Sequence, residues 1–107
     1  MRVQFKDWDC EVKKIKYTDN GRTALSLIAW ADDPKEGIFK GEPIAMATVN
    51  IPECPLGVDE VIIKDYSENE GMLECLLKAG IIELTGVRVQ TGFVECPVCV
   101  LNWRDNG

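Results

Sequence analysis

The chain has 107 residues, 46% of them apolar and 28% charged, a balance that fits one compact globular domain over residues 1–107 and excludes a disordered chain. Its net charge is −6, and its one basic cluster, Lys13-Lys14-Ile15-Lys16, is ringed by Asp7, Asp9, Glu11 and Asp19. A nucleic-acid partner, which needs clustered cations facing phosphates, is therefore not expected.

No apolar run is long enough to cross a bilayer, so no membrane partner is expected either. The opening "MRVQFKDWDCEVKK" alternates charges without the continuous apolar stretch of a signal peptide, and the expectation is a cytoplasmic protein. Five cysteines, at 10, 54, 75, 96 and 99, are odd in number and irregular in spacing. In a reducing compartment they do not read as a disulfide framework.

Residues 2–6, "RVQFK", alternate with Val3 and Phe5 on one side and predict a first strand, with a turn at Asp7-Trp8-Asp9. Residues 10–18 and 23–31 predict two more, joined by the hairpin signal "TDNGR". Side-chain parity chooses its loop. A three-residue loop of Asp19, Asn20 and Gly21 pairs Ile15 with Leu25 and keeps apolar side chains together, with Gly21 in the left-handed position.

Residues 32–43, "DDPKEGIFKGEP", are irregular. The stretch "IAMATVNI" (44–51) carries apolar or small residues on both faces, as a strand covered on both sides would. A further strand follows at 58–66. Residues 67–80, "SENEGMLECLLKAG", predict the helix: Ser67 and Glu70 have capping-box spacing, the leucines and Met72 form an apolar stripe, and Gly80 stops it. Strands at 81–84, 87–90 and 93–101 complete the chain, and residues 102–107 are expected to fray. The fold class is thus α+β: a bent antiparallel sheet or partial barrel of about six to seven short strands, with one helix (about 67–79) packed on one face.

The motif that suggests chemistry is "ECPVCVL". A Cys-x-x-Cys pair can ligate zinc or cycle as a dithiol. In a strand, however, Cys96 shares a face with Val94, Val98 and Val100, whereas Cys99 points the other way with Phe93 and Leu101. Two such sulfurs cannot reach one metal, and no second pair and no histidine supply the remaining ligands. Pro97 removes a ladder donor, which predicts an edge strand or a bulge. Cys96 and Cys99 are thus read as structural, with a metal-stabilised domain as the alternative.

Lack of histidine also removes Ser-His and Cys-His nucleophiles and the usual neutral-pH base. "TGVRVQTG" has no following helix to cradle a phosphate. Glu68, Glu70 and Glu74 read as a helix cap and solvated face, and Asp32-Asp33 before Pro34 as a turn. No catalytic residue and no cofactor are expected. Contact candidates are Ile38 and Phe39, apolar residues among charges on a long loop, and Trp103 near the chain end, whereas Trp30 reads as core.

The block Ile63 to Val98, "IKDYSENEGMLECLLKAGIIELTGVRVQTGFVECPV", is similar to small uncharacterised proteins of bacterial phages and conjugative elements. That resemblance covers about a third of the chain and implies a mobile-element accessory protein in a bacterial cytoplasm. It carries over no site residues. The functional expectation is a small acidic non-enzymatic protein acting on a protein partner through a sheet face, an exposed edge or the 32–43 loop, or as a homodimer. The alternative is a small-molecule-binding or enzymatic domain with a pocket between helix and sheet.

Overall fold

The computed structural model of the protein describes residues 1–102. Strands β1 (Arg2–Phe5), β2 (Trp8–Lys16), β3 (Thr23–Ala29) and β4 (Pro43–Met46) form one antiparallel sheet in the order β1-β2-β3-β4. Strands β5 (Glu60–Ile62), β6 (Ile82–Thr91) and β7 (Val94–Leu101) form a second, ordered β5-β7-β6, and helix α1 spans Met72–Lys78. The α+β class holds, but the single bent sheet or partial barrel is corrected: two sheets are present and they do not close.

The first turn is Lys6-Asp7, with Phe5 opposite Trp8 and Lys6 at positive φ. Trp8 and Asp9 accordingly belong to β2 and not to the turn. The second hairpin also departs from its expected register. Ile15 pairs with Ala24 and Lys16 with Thr23. Tyr17 N donates to Arg22 O at 2.9 Å and Gly21 N to Tyr17 O at 2.9 Å, which closes a four-residue loop with Gly21 left-handed. The longer apolar row decides the register. Cys10 and Val12 face inward with Val3, Phe5, Leu25, Leu27 and Ala29, and Ile15, on the opposite parity, is left exposed.

The stretch 43–49 carries the chain from one sheet to the other. Ala47 N still donates to Leu25 O on β3 at 2.8 Å, while Thr48 bridges Ile63 and Val49 N donates to Ile62 O at 3.0 Å. This explains its apolar residues on both faces. Ile44, Ala45 and Ala47 pack between the sheets, and Val49 and Ile51 lie on the outer face of the second.

The predicted 67–79 helix is broken in two. Ser67–Asn69 forms a 3₁₀ turn, and α1 starts only at Met72. Ser67 takes positive φ and makes no capping hydrogen bond, while Gly71 is left-handed between the two pieces. The cap comes from upstream: Asp65 Oδ1 accepts from Gly71 N at 3.1 Å and Leu73 N at 2.9 Å. The buried Asn69 is anchored by donating to Met46 O at 2.6 Å.

Met72 and Leu76 of α1 reach the interior between the sheets, against Phe5, Val12 and Leu25 from one side and Val61, Ile82 and Cys99 from the other. Each such large side chain contributes about 1.5–3 kcal/mol on burial. The helix packs on β1 and β6, the end strands of their respective sheets, and fills the gap between them. It therefore closes one side of the interior and does not lie across one sheet face. On the outer face of the second sheet, Ile62, Cys96 and Val98 form a smaller cluster under Ile51, Cys54, Leu56 and Tyr66.

β7 is the central strand of its sheet, which corrects the edge placement suggested by Pro97. The Pro97 carbonyl accepts from Ile63 N at 3.0 Å, so its missing amide faces the same side, where the β5 ladder has just ended at Ile62. The bulge lies on β6. Leu84 pairs with Cys99 and Arg88 with Pro97, leaving Thr85, Gly86 and Val87 across from Val98 alone. The Thr85 hydroxyl donates to Val98 O at 2.8 Å and accepts from Val87 N at 3.1 Å, and Gly86 takes a φ of +89°. Asn102 N donates to Ile81 O at 2.8 Å; the rest of the terminus expected to fray lies outside the described residues.

Candidate functional site

The two cysteines of "CPVC" are both buried, and the strand places them on opposite faces. Cys96 packs with Ile62 and Val98 in the outer cluster, and Cys99 joins the interior between the sheets. They cannot share one ion, and no three Cys, Asp or Glu side chains converge as a metal site among the described residues. Burial also suppresses thiolate chemistry. It pushes the Cys10 and Cys99 thiols up to about 11, and it raises Cys75 and Cys96 as well, the last against the opposing pull of Arg88. A nucleophilic or redox thiol needs the opposite shift.

Ile38 and Phe39 separate. The 32–42 loop is held by its own hydrogen bonds: Asp33 N donates to Ile38 O at 2.7 Å, Lys40 N to Asp32 Oδ1 at 2.8 Å and Phe39 N to Glu42 Oε1 at 3.1 Å. Ile38 is half-buried and lines a cavity of about 160 Å³ with Trp8, Asp7, Asp9, Asp32 and Asp33. Phe39 is 66% exposed. Trp30 is not core: it is partly exposed, with the Arg2 guanidinium 4.8 Å from its ring centre. Trp103 lies outside the described residues. Between α1 and β1 there is a shallow cleft of about 180 Å³ lined by Lys6, Glu70, Glu74 and Cys75, outside the packed interior.

A further exposed apolar feature is one that the sequence did not single out. β6 is the end strand of its sheet, and every residue from Glu83 to Arg88 is exposed. Leu84, just before the bulge, and Val87, within it, are both more than half exposed. At the tip of the β6–β7 hairpin, Thr91 pairs with Val94 across the two-residue turn Gly92-Phe93, and Phe93 is fully exposed. Arg88 and Glu95 form an ion pair at 3.4 Å beside this row. An edge strand carries unpaired N–H and C=O groups that an extended segment can pair with, and the flanking apolar side chains add specificity.

No protein-family model, curated protein or solved structure matches this chain. The site must therefore be read from its own residues. Leu84, Val87 and Phe93 lie in three segments expected only as strands, at 81–84, 87–90 and 93–101. Sequence alternation does not reveal which strand ends a sheet. The sequence suggests a turn at Thr91-Gly92 with Phe93 opening the last strand, but the structure moves the turn to Gly92-Phe93, and a side chain inside a two-residue hairpin turn projects away from the ladder.

Proposed function

We propose that this chain is a small non-enzymatic binding protein that docks an extended segment of a protein partner along β6 and the β6–β7 turn. The observation that carries this reading is the coincidence of an open strand edge with Leu84, Val87 and Phe93 exposed along it. Lone exposed apolar residues are ordinary on a protein surface, whereas several along one unpaired edge fit the geometry of strand addition. The bulge at Thr85–Val87 and the charges of Glu83 and Arg88 restrict which segments can pair, as devices that limit indiscriminate edge pairing do.

The deeply buried, proton-holding thiols and the lack of histidine favour binding over covalent catalysis. An accessory protein of a mobile element would suit such a role, with a second copy as one occupant of the same edge. The test compares wild type with Leu84→Lys/Phe93→Lys for capture of partners from a bacterial lysate, alongside native mass spectrometry of the purified chain. Loss of captured protein in the variant, at an unchanged unfolding midpoint, is expected. Equal capture by both proteins would place the contact elsewhere, and a wild-type dimer that the variant loses would identify the occupant as a second copy.

A further inference from the structure

A cleft of about 300 Å³ opens between the β2–β3 hairpin and the loop before β5, lined by Lys16, Arg22, Thr23, Leu56, Val58 and Glu60. Its electrostatic character differs from that of the chain as a whole, which carries −6: two cations meet here with one carboxylate. That carboxylate is held to the loop, since Glu60 Oε1 accepts from Gly57 N at 2.7 Å, and the lining, with Lys16 and Arg22 against Glu60, carries one net positive charge. Arg22 is half-buried, and its Nη1 donates to Ile51 O at 2.9 Å. This bond fixes the guanidinium and leaves most of its five donors uncommitted. Among the described residues no carboxylate lies within ion-pair distance of Lys16 or Arg22. Beside Glu60 the opposite wall carries two apolar side chains, Leu56, half-buried, and Val58, 93% exposed at the lip.

We propose that this cleft binds a small organic anion, a carboxylate on a short apolar chain, with Lys16 and Arg22 taking the charge and Leu56 and Val58 the chain. A pre-positioned guanidinium forms charge-assisted bonds to a carboxylate without first having to be ordered. The cleft is distinct from the docking edge, with β7 between them. Val100 pairs with Glu60 on one side and with Glu83 on the other, so β5 and β6 lie about 10 Å apart there, and Phe93 is farther along β7. The two sites can be occupied and tested independently.

The test follows backbone amide shifts of the full chain during titration with hexanoate, with acetate and hexylammonium as controls. Hexanoate is expected to shift the amides of Lys16, Arg22, Thr23, Gly57 and Val58 saturably, with a midpoint on the order of millimolar. Acetate should bind at least about ten-fold more weakly for lack of the chain, and hexylammonium should leave those amides unmoved. Lys16→Gln should weaken hexanoate about five-fold and Val58→Ser should weaken it too, each leaving remote amides in place. The proposal is overturned if hexanoate shifts never saturate, if acetate binds as tightly, if hexylammonium moves the same amides, or if neither substitution changes the midpoint.

Discussion

The Tyr17 hydroxyl lies 2.7 Å from Thr48 Oγ1, and this contact joins the turn end of the first sheet to the segment that enters the second. Thr48 Oγ1 also accepts from Leu25 N at 3.3 Å, and nearby Asn20 Nδ2 donates to Asn50 Oδ1 at 3.1 Å. The two ends of the pair carry unequal burdens. Tyr17→Phe removes one partner and should cost about 1 kcal/mol in urea unfolding. Thr48→Val strands both the tyrosine hydroxyl and a buried amide, so it should cost more, about 1–3 kcal/mol. Equal losses would mean that the Leu25 amide finds another acceptor.

The Asp65 carboxylate, and not Ser67, holds the start of α1. Asp65→Ala should therefore cost about 0.5–2 kcal/mol, the range for losing a helix cap. Ser67→Ala should change stability by less than about 0.5 kcal/mol, as a surface substitution without a structural contact. Matched urea titrations of the two variants decide between the caps. A larger loss at Ser67 would reinstate the capping box.

The start of α1 shows what was legible in the sequence. The apolar stripe of Met72 and Leu76 correctly placed a helix, because helical periodicity reports burial. Ser67-x-x-Glu70 also matched a cap pattern, but Gly71 stood between it and the stripe, and a left-handed glycine there resets the start of the helix. Parity within β7 correctly sent Cys96 and Cys99 to opposite faces, since alternation is a property of a single strand. Whatever depends on neighbours was not legible. Ile15 lost its place in the interior to Cys10 and Val12, Pro97 was accommodated in a central strand where its partner ladder stops, and Leu84 was exposed because β6 ends a sheet.

The buried thiols give the protein an alkaline limit. Cys10 and Cys99 are pushed up from an ordinary value of 9.0 to about 11, chiefly by burial. An acid whose pKa is higher in the folded state than in the unfolded chain keeps its proton longer when folded. Its contribution is thus fully present below about pH 9 and is lost as pH rises toward 11. Each thiol accounts for about 2–3 kcal/mol across that window. Urea midpoints should fall steeply from pH 9 to 11 under reducing conditions. Cys99→Ala should be less stable at pH 8, through the cavity it leaves, yet show a shallower alkaline fall. An unchanged slope would assign the alkaline loss to other groups.

Gly86 tests the bulge that follows Leu84 and contains Val87. Its φ is +89°, and a Cβ built there meets no atom within 4 Å. Any cost of Gly86→Ala is therefore conformational, about 1 kcal/mol, and Gly86→Asn should cost less because asparagine tolerates left-handed backbone better. If the two variants are equally stable, the bulge has relaxed to a different register, and amide shifts along β6 would reveal the slip.

Phe93 separates a structural role from a docking one. Its side chain is fully exposed and belongs to neither apolar cluster, so Phe93→Ser removes almost no burial and should alter the unfolding free energy by no more than about 0.5 kcal/mol. Its neighbour Val94 packs partly against the outer cluster, and Val94→Ser should cost more than Phe93→Ser through lost apolar contact. If the β6–β7 edge docks a partner, the ranking reverses in a binding assay. Phe93→Ser then weakens capture at full stability, while Val94→Ser weakens it only in proportion to its unfolding. A Phe93 variant that loses stability as much as Val94 does would instead make this phenylalanine part of the hairpin's own packing, and the docking edge would reduce to Leu84 and Val87.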